Sequence, residues 1–196
     1  MSTVKLVIPF YSMTGTNHKM AEIAKAAAEE AGAEVRLRRA EETAPKEVVE
    51  GQDAWKAQLE KMQDIPVIST DDMEWGNAYL FSVPTRYGAV PSQMQAFIDT
   101  LGPLWQKGAL AGKVASAMTS AGTQHGGHET TLLGLYTSFM HWGCVLVAPG
   151  YTGEKSFDHG NPYGASAIAN DVNDVVTSIV QHQAKRVVDI AGKLAG

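Results

Sequence analysis

At 196 residues the chain can bury one substantial core and reads as a single domain over 1–196. With 44% hydrophobic and 19% charged residues it is not disordered, and no apolar run nears the ~20 residues needed to cross a bilayer. A net charge of −5 with no basic block leaves out the footprint of a nucleic-acid binder; Arg36, Arg38 and Arg39 read as a solvated strand end.

Residues 4–10, with Val4, Leu6, Val7, Ile8 and Phe10, read as a buried strand. Met20, Ile23, Ala24, Ala27, Ala28 and Ala31 then recur at helical spacing, and Gly32 ends that helix. Residues 34–37 alternate like an edge strand. Residues 79–83 give a third strand, followed by a helix with Pro91 and Ser92 at its start and Met94, Phe97, Ile98 and Leu101 on its apolar face. Residues 114–119 form a fourth strand, residues 129–141 a helix that Gly143 stops, and residues 145–148 a fifth strand. Asn170 or Asp171 is the expected cap of a last helix carrying Val172, Val176, Ile179, Val180 and Val187.

Strand and helix thus alternate five times, and the strands are near-continuous apolar runs. That pattern predicts an α/β fold: a doubly wound, five-stranded parallel sheet with helices on both faces. Residues 43–72 break the alternation and read as an insertion. It is either a surface lid or an oligomer contact, and Trp55 favours the contact because aromatic residues are enriched in interfaces.

Such sheets bind ligands beyond the carboxyl ends of their strands. Three polar turns fall there. Ser12-Met13-Thr14-Gly15-Thr16-Asn17 lies between the first strand and first helix, where backbone N–H groups, the helix dipole and three hydroxyls form an anion site with no Lys or Arg in the turn. Pro84-Thr85-Arg86-Tyr87-Gly88 follows the third strand and offers a rigid turn, a guanidinium and an aromatic ring. The third turn begins at Ser120 and runs to Gly127. A phosphate bound by neutral donors beside a place for a planar ring suggests FMN.

Other patterns carry less. Gly108-Ala109-Leu110-Ala111-Gly112-Lys113-Val114 has three residues between its glycines, lacks Ser or Thr after Lys113 and precedes a strand, so it reads as a structural turn and not a phosphate loop. No GxGxxG is present. His125 and His128 stand at H-x-x-H spacing beside Glu129, but no further ligands cluster with them, and no metal site is assigned. The single cysteine, Cys144, excludes an internal disulfide, reads as a buried structural thiol and suits a reducing cytoplasm; residues 1–5 show no leader pattern.

The three turns, together with Gln93-Met94, Leu104-Trp105, Gly108-Ala109-Leu110, His141 with Gly143, Gly150-Tyr151 and Pro162-Tyr163-Gly164-Ala165, resemble the WrbA family of flavodoxin-like NAD(P)H:quinone oxidoreductases over nearly the whole chain. The resemblance implies a site in which Ser12, Met13, Thr14, Gly15, Thr16 and Asn17 surround the FMN phosphate. Pro84, Thr85, Arg86, Tyr87 and Gly88 would contact the ring. Ser120, Ala121, Gly122, Thr123 and Gln124 would hold the ribityl chain and the other ring edge. Trp105 would line the substrate pocket, and His141 would face ring and substrate across a subunit boundary. Position 14 is Thr where the family often has Tyr, a residue associated there with the nicotinamide nucleotide. The third turn is one residue longer than the family's Gly-rich pattern.

The implied enzyme is a cytoplasmic homotetramer that binds neither membrane nor nucleic acid. NADH or NADPH reduces the flavin and leaves, and a quinone then takes two electrons in the same pocket, a ping-pong cycle. His141 is the expected catalytic residue, as a hydrogen-bond partner of the quinone oxygen. The alternatives are a flavodoxin-type electron carrier and an azo- or nitroreductase on the same fold.

Overall fold

The computed structural model describes residues 3–196. Its sheet is parallel throughout. The strands are β1 (Lys5–Phe10), β2 (Glu34–Arg39), β3 (Ala78–Pro84), β4 (Val114–Ala121), β5 (Val145–Leu146) and β6 (Ser166–Ile168). Their order is β2-β1-β3-β4-β5, with β6 also paired to β4. The doubly wound α/β reading therefore stands. β2 is the edge strand its alternation indicates.

The fifth position departs from expectation. It is not one strand over residues 145–148 but two short ones. β5 pairs with the first half of β4 through Val114 and Ala115, and β6 with its second half through Thr119, Ser120 and Ala121. Between them the chain leaves the sheet, turns at Gly150 (φ +57°) and forms α8 (Ser156–His159). Gln183 pins the return. Its amide accepts from Ala165 N–H at 2.7 Å and donates to Ser116 Oγ at 2.6 Å.

Two apolar layers close over the sheet. On one face α1 (Thr16–Glu30) and α9 (Asp174–Leu194) cover Leu6, Ile8, Phe10 and Met118. Full burial of each such side chain contributes about 1.5–3 kcal/mol. On the other face α5 (Ser92–Asp99) and α7 (His128–His141) cover Tyr79, Phe81 and Val83. The cap expected at Asn170 or Asp171 is in fact Asn173, whose side chain accepts from the N–H groups of Val175 and Val176 at 3.1 Å each. Asn170 is instead in a left-handed conformation (φ +65°), outside the extended backbone from which an Asn side chain usually caps a helix.

The insertion folds as α2 (Lys46–Glu50), α3 (Asp53–Lys61) and α4 (Thr70–Trp75). Ser69 and Asp72 form a capping box at the start of α4. Burial pushes the Asp72 carboxyl up, but hydrogen bonds from Arg38, Ser69 and Arg36 outweigh it and hold the group below its ordinary value. Trp55 is buried within its own chain and donates to Glu42 Oε2 at 3.0 Å, so it does not supply the exposed aromatic that the interface argument needs. The short α6 (Gly102–Gln106) carries Trp105. Among the described residues no helix is long and apolar enough to cross a membrane.

Candidate active site

The sheet order reverses direction between β1 and β3, and the turns after β1, β3 and β4 border one cleft at that point. Its volume is about 270 Å³. Ser12, Met13, Thr14, Thr16 and Asn17 line it from the first turn, Pro84, Thr85 and Arg86 from the second, and Ser120, Ala121 and Gly122 from the third. Ala169 and Asn170, just past β6, complete the wall. Sequence reasoning missed these two because the split of the fifth strand hides where the chain re-enters the sheet. The one signal was an Asn able to adopt a left-handed turn.

The first turn is built for an anion. Gly15 has φ +103°, a conformation that side chains resist, and its N–H donates to Ser12 Oγ at 3.1 Å. Helix α1 then starts with no side-chain cap and no acidic residue in its first turn, although Thr16, Asn17 and His18 are buried there. A buried helix start of this kind offers its first N–H groups to a ligand. Asn170 N–H donates to Thr16 Oγ1 at 2.9 Å, which leaves the Thr16 hydroxyl proton free to donate. The donor set is neutral, numerous and convergent, and it fits a phosphate monoester.

Asn17 works inward. Its amide donates to Ser82 Oγ at 3.2 Å, and its Oδ1 accepts from Ser120 Oγ at 2.6 Å. This buried triad ties the first turn to β3 and β4. The second turn is held as firmly. Thr85 N–H donates to Ser120 O at 2.8 Å, and Thr85 Oγ1 accepts from Gly88 N–H and Thr131 Oγ1. The start of α7 packs so closely on this turn that a Cβ at Gly127 would lie 2.7 Å from Gly88 Cα.

Arg86 is the cation of the cleft wall. It donates to Thr85 O at 2.9 Å, and its other terminal nitrogen lies 3.6 Å from Met13 Sδ. Behind it, the Tyr11 hydroxyl donates to Glu42 Oε2 at 3.0 Å. Burial, followed by Glu42, pushes the Tyr11 phenol far up, while Arg86 pulls it the other way. Tyr11 is therefore a neutral donor, and Glu42 accepts its hydrogen bond behind the wall.

Not every residue named from sequence gathers here. Tyr87 is fully exposed, with a strained φ of +53°, and does not line the cleft. Gly88 and Gly15 shape its rim through their backbones. Thr123 lies outside the lining, and Gln124 lines a separate hollow with His125 and His128. His128 is buried, with Nε2 3.1 Å from Ala167 O.

His141 and Trp105 lie furthest away. They form a pair, Trp105 Nε1–H donating to His141 O at 2.9 Å. Helix α7 has 14 residues and so extends about 20 Å from its start beside the cleft. Gly143, just past it, accepts from Gly112 N–H before the first residue of β4. His141 thus stands at the amino edge of the sheet, opposite the cleft of its own chain.

Comparison with known proteins identifies the family. A family model described as NADPH-dependent FMN reductase matches residues 11–156. The chain is 54% identical to a Deinococcus radiodurans protein named NAD(P)H dehydrogenase (quinone), over 98% of each chain. It is 42% identical to a protein of the same name from Geotalea uraniireducens, over 98% of this chain and 100% of that one. Among solved structures, a WrbA-like flavodoxin from Agrobacterium tumefaciens superposes with a TM-score of 0.67 at 20% identity, covering 97% of this chain and 99% of that one, which supports the fold. On the match over residues 11–156 and the near full-length identity to these relatives, the chain belongs to the NADPH-dependent FMN reductase family.

Proposed function

We propose that residues 1–196 form a single FMN-binding domain that catalyses two-electron reduction of quinones to hydroquinones with NADH or NADPH. The observation that carries this is the uncapped, buried start of α1 at a cleft whose other walls are the Arg86 turn and the end of β4. The names of the 54% and 42% identical relatives support the reaction class.

FMN, when bound, supplies the chemistry: it accepts a hydride from the nicotinamide and passes two electrons to the quinone. The chain does the rest. Ser12, Thr14, Thr16 and the first N–H groups of α1 would hold the phosphate. Pro84, Thr85 and Arg86 would border the ring, with Tyr87 and Gly88 at its open side. Ser120, Ala121 and Gly122 would border the ribityl chain, with Thr123 and Gln124 beyond. Arg86 places positive charge on that wall, which favours a reduced, anionic ring.

His141 and Trp105 stand too far from the cleft of their own chain to serve it. In this reading they serve the cleft of a neighbouring copy in a homotetramer, where the His141 imidazole would hydrogen-bond the quinone oxygen and steady its developing charge. The two substrates would use that composite pocket in turn, giving ping-pong kinetics. A cytoplasmic setting is supported by the lone thiol of Cys144, which burial pushes up to about 11, leaving it unreactive.

The test is direct. Purified protein supplied with FMN should show a bound-flavin spectrum and reduce benzoquinone at the expense of NADH or NADPH without another protein. Flavin binding without turnover would leave an electron carrier, and absence of flavin binding would remove the reading altogether.

A further inference from the structure

Helix α3 of the 43–72 insertion makes two contacts that lead to the phosphate turn. Trp55 and Gln58 lie one helical turn apart and are the two buried residues of α3. Gln58 meets the first turn of the cleft directly, and Trp55 reaches it through Glu42 and Tyr11.

At the entry, Trp55 Nε1–H donates to Glu42 Oε2, the same oxygen that accepts from Tyr11 at 3.0 Å. Tyr11 immediately precedes Ser12. The other Glu42 oxygen accepts from Gln93 Nε2 at 2.8 Å and from Ala44 N–H at 3.0 Å, so the carboxylate is fixed from four sides.

At the exit, the Gln58 amide lies against the left-handed glycine. A Cβ at Gly15 would come 3.0 Å from Gln58 Oε1. Gln58 Nε2 donates to His18 Nδ1 at 3.0 Å. His18 is 3% exposed and stacks on Phe10 with centroids 5.1 Å apart and planes 8° from parallel. The donor direction requires a neutral His18 with its proton on Nε2. Burial, the leading cause, and then Lys61 push this imidazole down, while Glu22 pulls it up.

We propose that α3 is a brace for the phosphate turn, with Gln58 and Trp55 as positioning residues that hold its exit and its entry. This deepens the FMN reading and rests on it. Neither residue lines the cleft, so each acts through the turn. Their effect is to keep Gly15 and the first N–H groups of α1 in the one arrangement that receives a phosphate. A loop held in place before binding loses less freedom on binding, which tightens the complex.

The phosphate separates this proposal from a general packing role. FMN and riboflavin share ring and ribityl chain, but only FMN uses the braced turn. The experiment measures dissociation constants of FMN and riboflavin by flavin fluorescence quenching, for wild type, Gln58→Leu and Trp55→Phe. Gln58→Leu keeps volume and removes both amide groups. Trp55→Phe keeps a ring and removes the N–H, and it spares the His18 contact if Gln58→Leu folds poorly.

The brace predicts FMN binding about tenfold weaker in Gln58→Leu, the scale of one positioning hydrogen bond. Trp55→Phe should shift in the same direction. Riboflavin affinity should not change. Equal FMN affinity in wild type and both variants would overturn the proposal. So would parallel loss of FMN and riboflavin, which marks general loosening. Wild-type protein that binds riboflavin and FMN equally would overturn the phosphate site itself and the brace with it.

Discussion

Asn17 joins three segments with one amide. It donates to Ser82 Oγ on β3, accepts from Ser120 Oγ on β4, and its backbone opens α1. Buried polar groups are costly to leave unpaired, so Asn17→Ala should destabilise the fold by about 1–3 kcal/mol, measured by urea unfolding. Asn17→Asp should be worse than a neutral change, because Ser82 Oγ already donates to Asn17 O and would lose its amide donor to a buried carboxylate. Retention of wild-type stability in Asn17→Ala would show that the triad adds nothing. The sequence placed Asn17 at the phosphate because it ends a hydroxyl-rich turn. What it could not reveal is direction: the side chain points into the sheet, and only the partners on β3 and β4, 65 and 103 residues away, decide that. Tyr87 is the converse case. Its aromatic ring is an expected contact of the ligand's ring, and in the single chain it stands fully exposed on a residue of positive φ.

At the scale of elements, the strands and long helices were legible because each carries its own pattern: near-continuous apolar runs for β1 and β3, a run of Val, Ala and Met broken only by Ser and Thr for β4, and a 3.6-residue stripe for α1 and α9. The split of β5 and β6 was not. Two- and three-residue strands bear no pattern of their own, and what holds them is remote, chiefly Gln183 on α9. The insertion shows in the sequence as an interruption, but the inward direction of Trp55 depends on Glu42, a partner outside α3. Buried His18 and half-buried His159 give these elements a pH dependence. Burial, foremost, lowers the pKa of both His18 and His159 from the ordinary 6.5. A lowered histidine means that the unfolded chain binds protons more readily than the folded one. Stability contributed this way is complete above 6.5 and is lost as pH falls below it toward the folded values. Melting temperature should therefore drop as the pH falls from 7 into the acid range, and the double variant His18→Gln, His159→Gln should flatten that slope above the range where carboxylates titrate. An unchanged slope would assign the acid sensitivity to other groups.

At the scale of the whole molecule, the sheet separates the parts of the proposed reaction. The cleft lies at the carboxyl edge, while Trp105, 55% exposed, and His141 lie at the amino edge. The family resemblance pointed to all of them, but single-chain geometry divides them into two groups. If separate copies supply the two groups, a Ser12→Ala, Thr16→Val chain deficient in FMN binding and a His141→Ala chain should complement each other. Co-expressed, they should recover part of the quinone turnover that each lacks alone; no recovery would argue that His141 acts within its own chain or not at all. The claim beneath every other is that one bound flavin meets both substrates. Anaerobic mixing of the FMN-loaded protein with NADH or NADPH tests it most directly, followed by mixing of the reduced protein with benzoquinone. The flavin absorbance should bleach in the first step and return in the second, each fast enough to sustain steady-state turnover. A flavin that neither nucleotide bleaches, or that stays reduced in the presence of quinone, would contradict it.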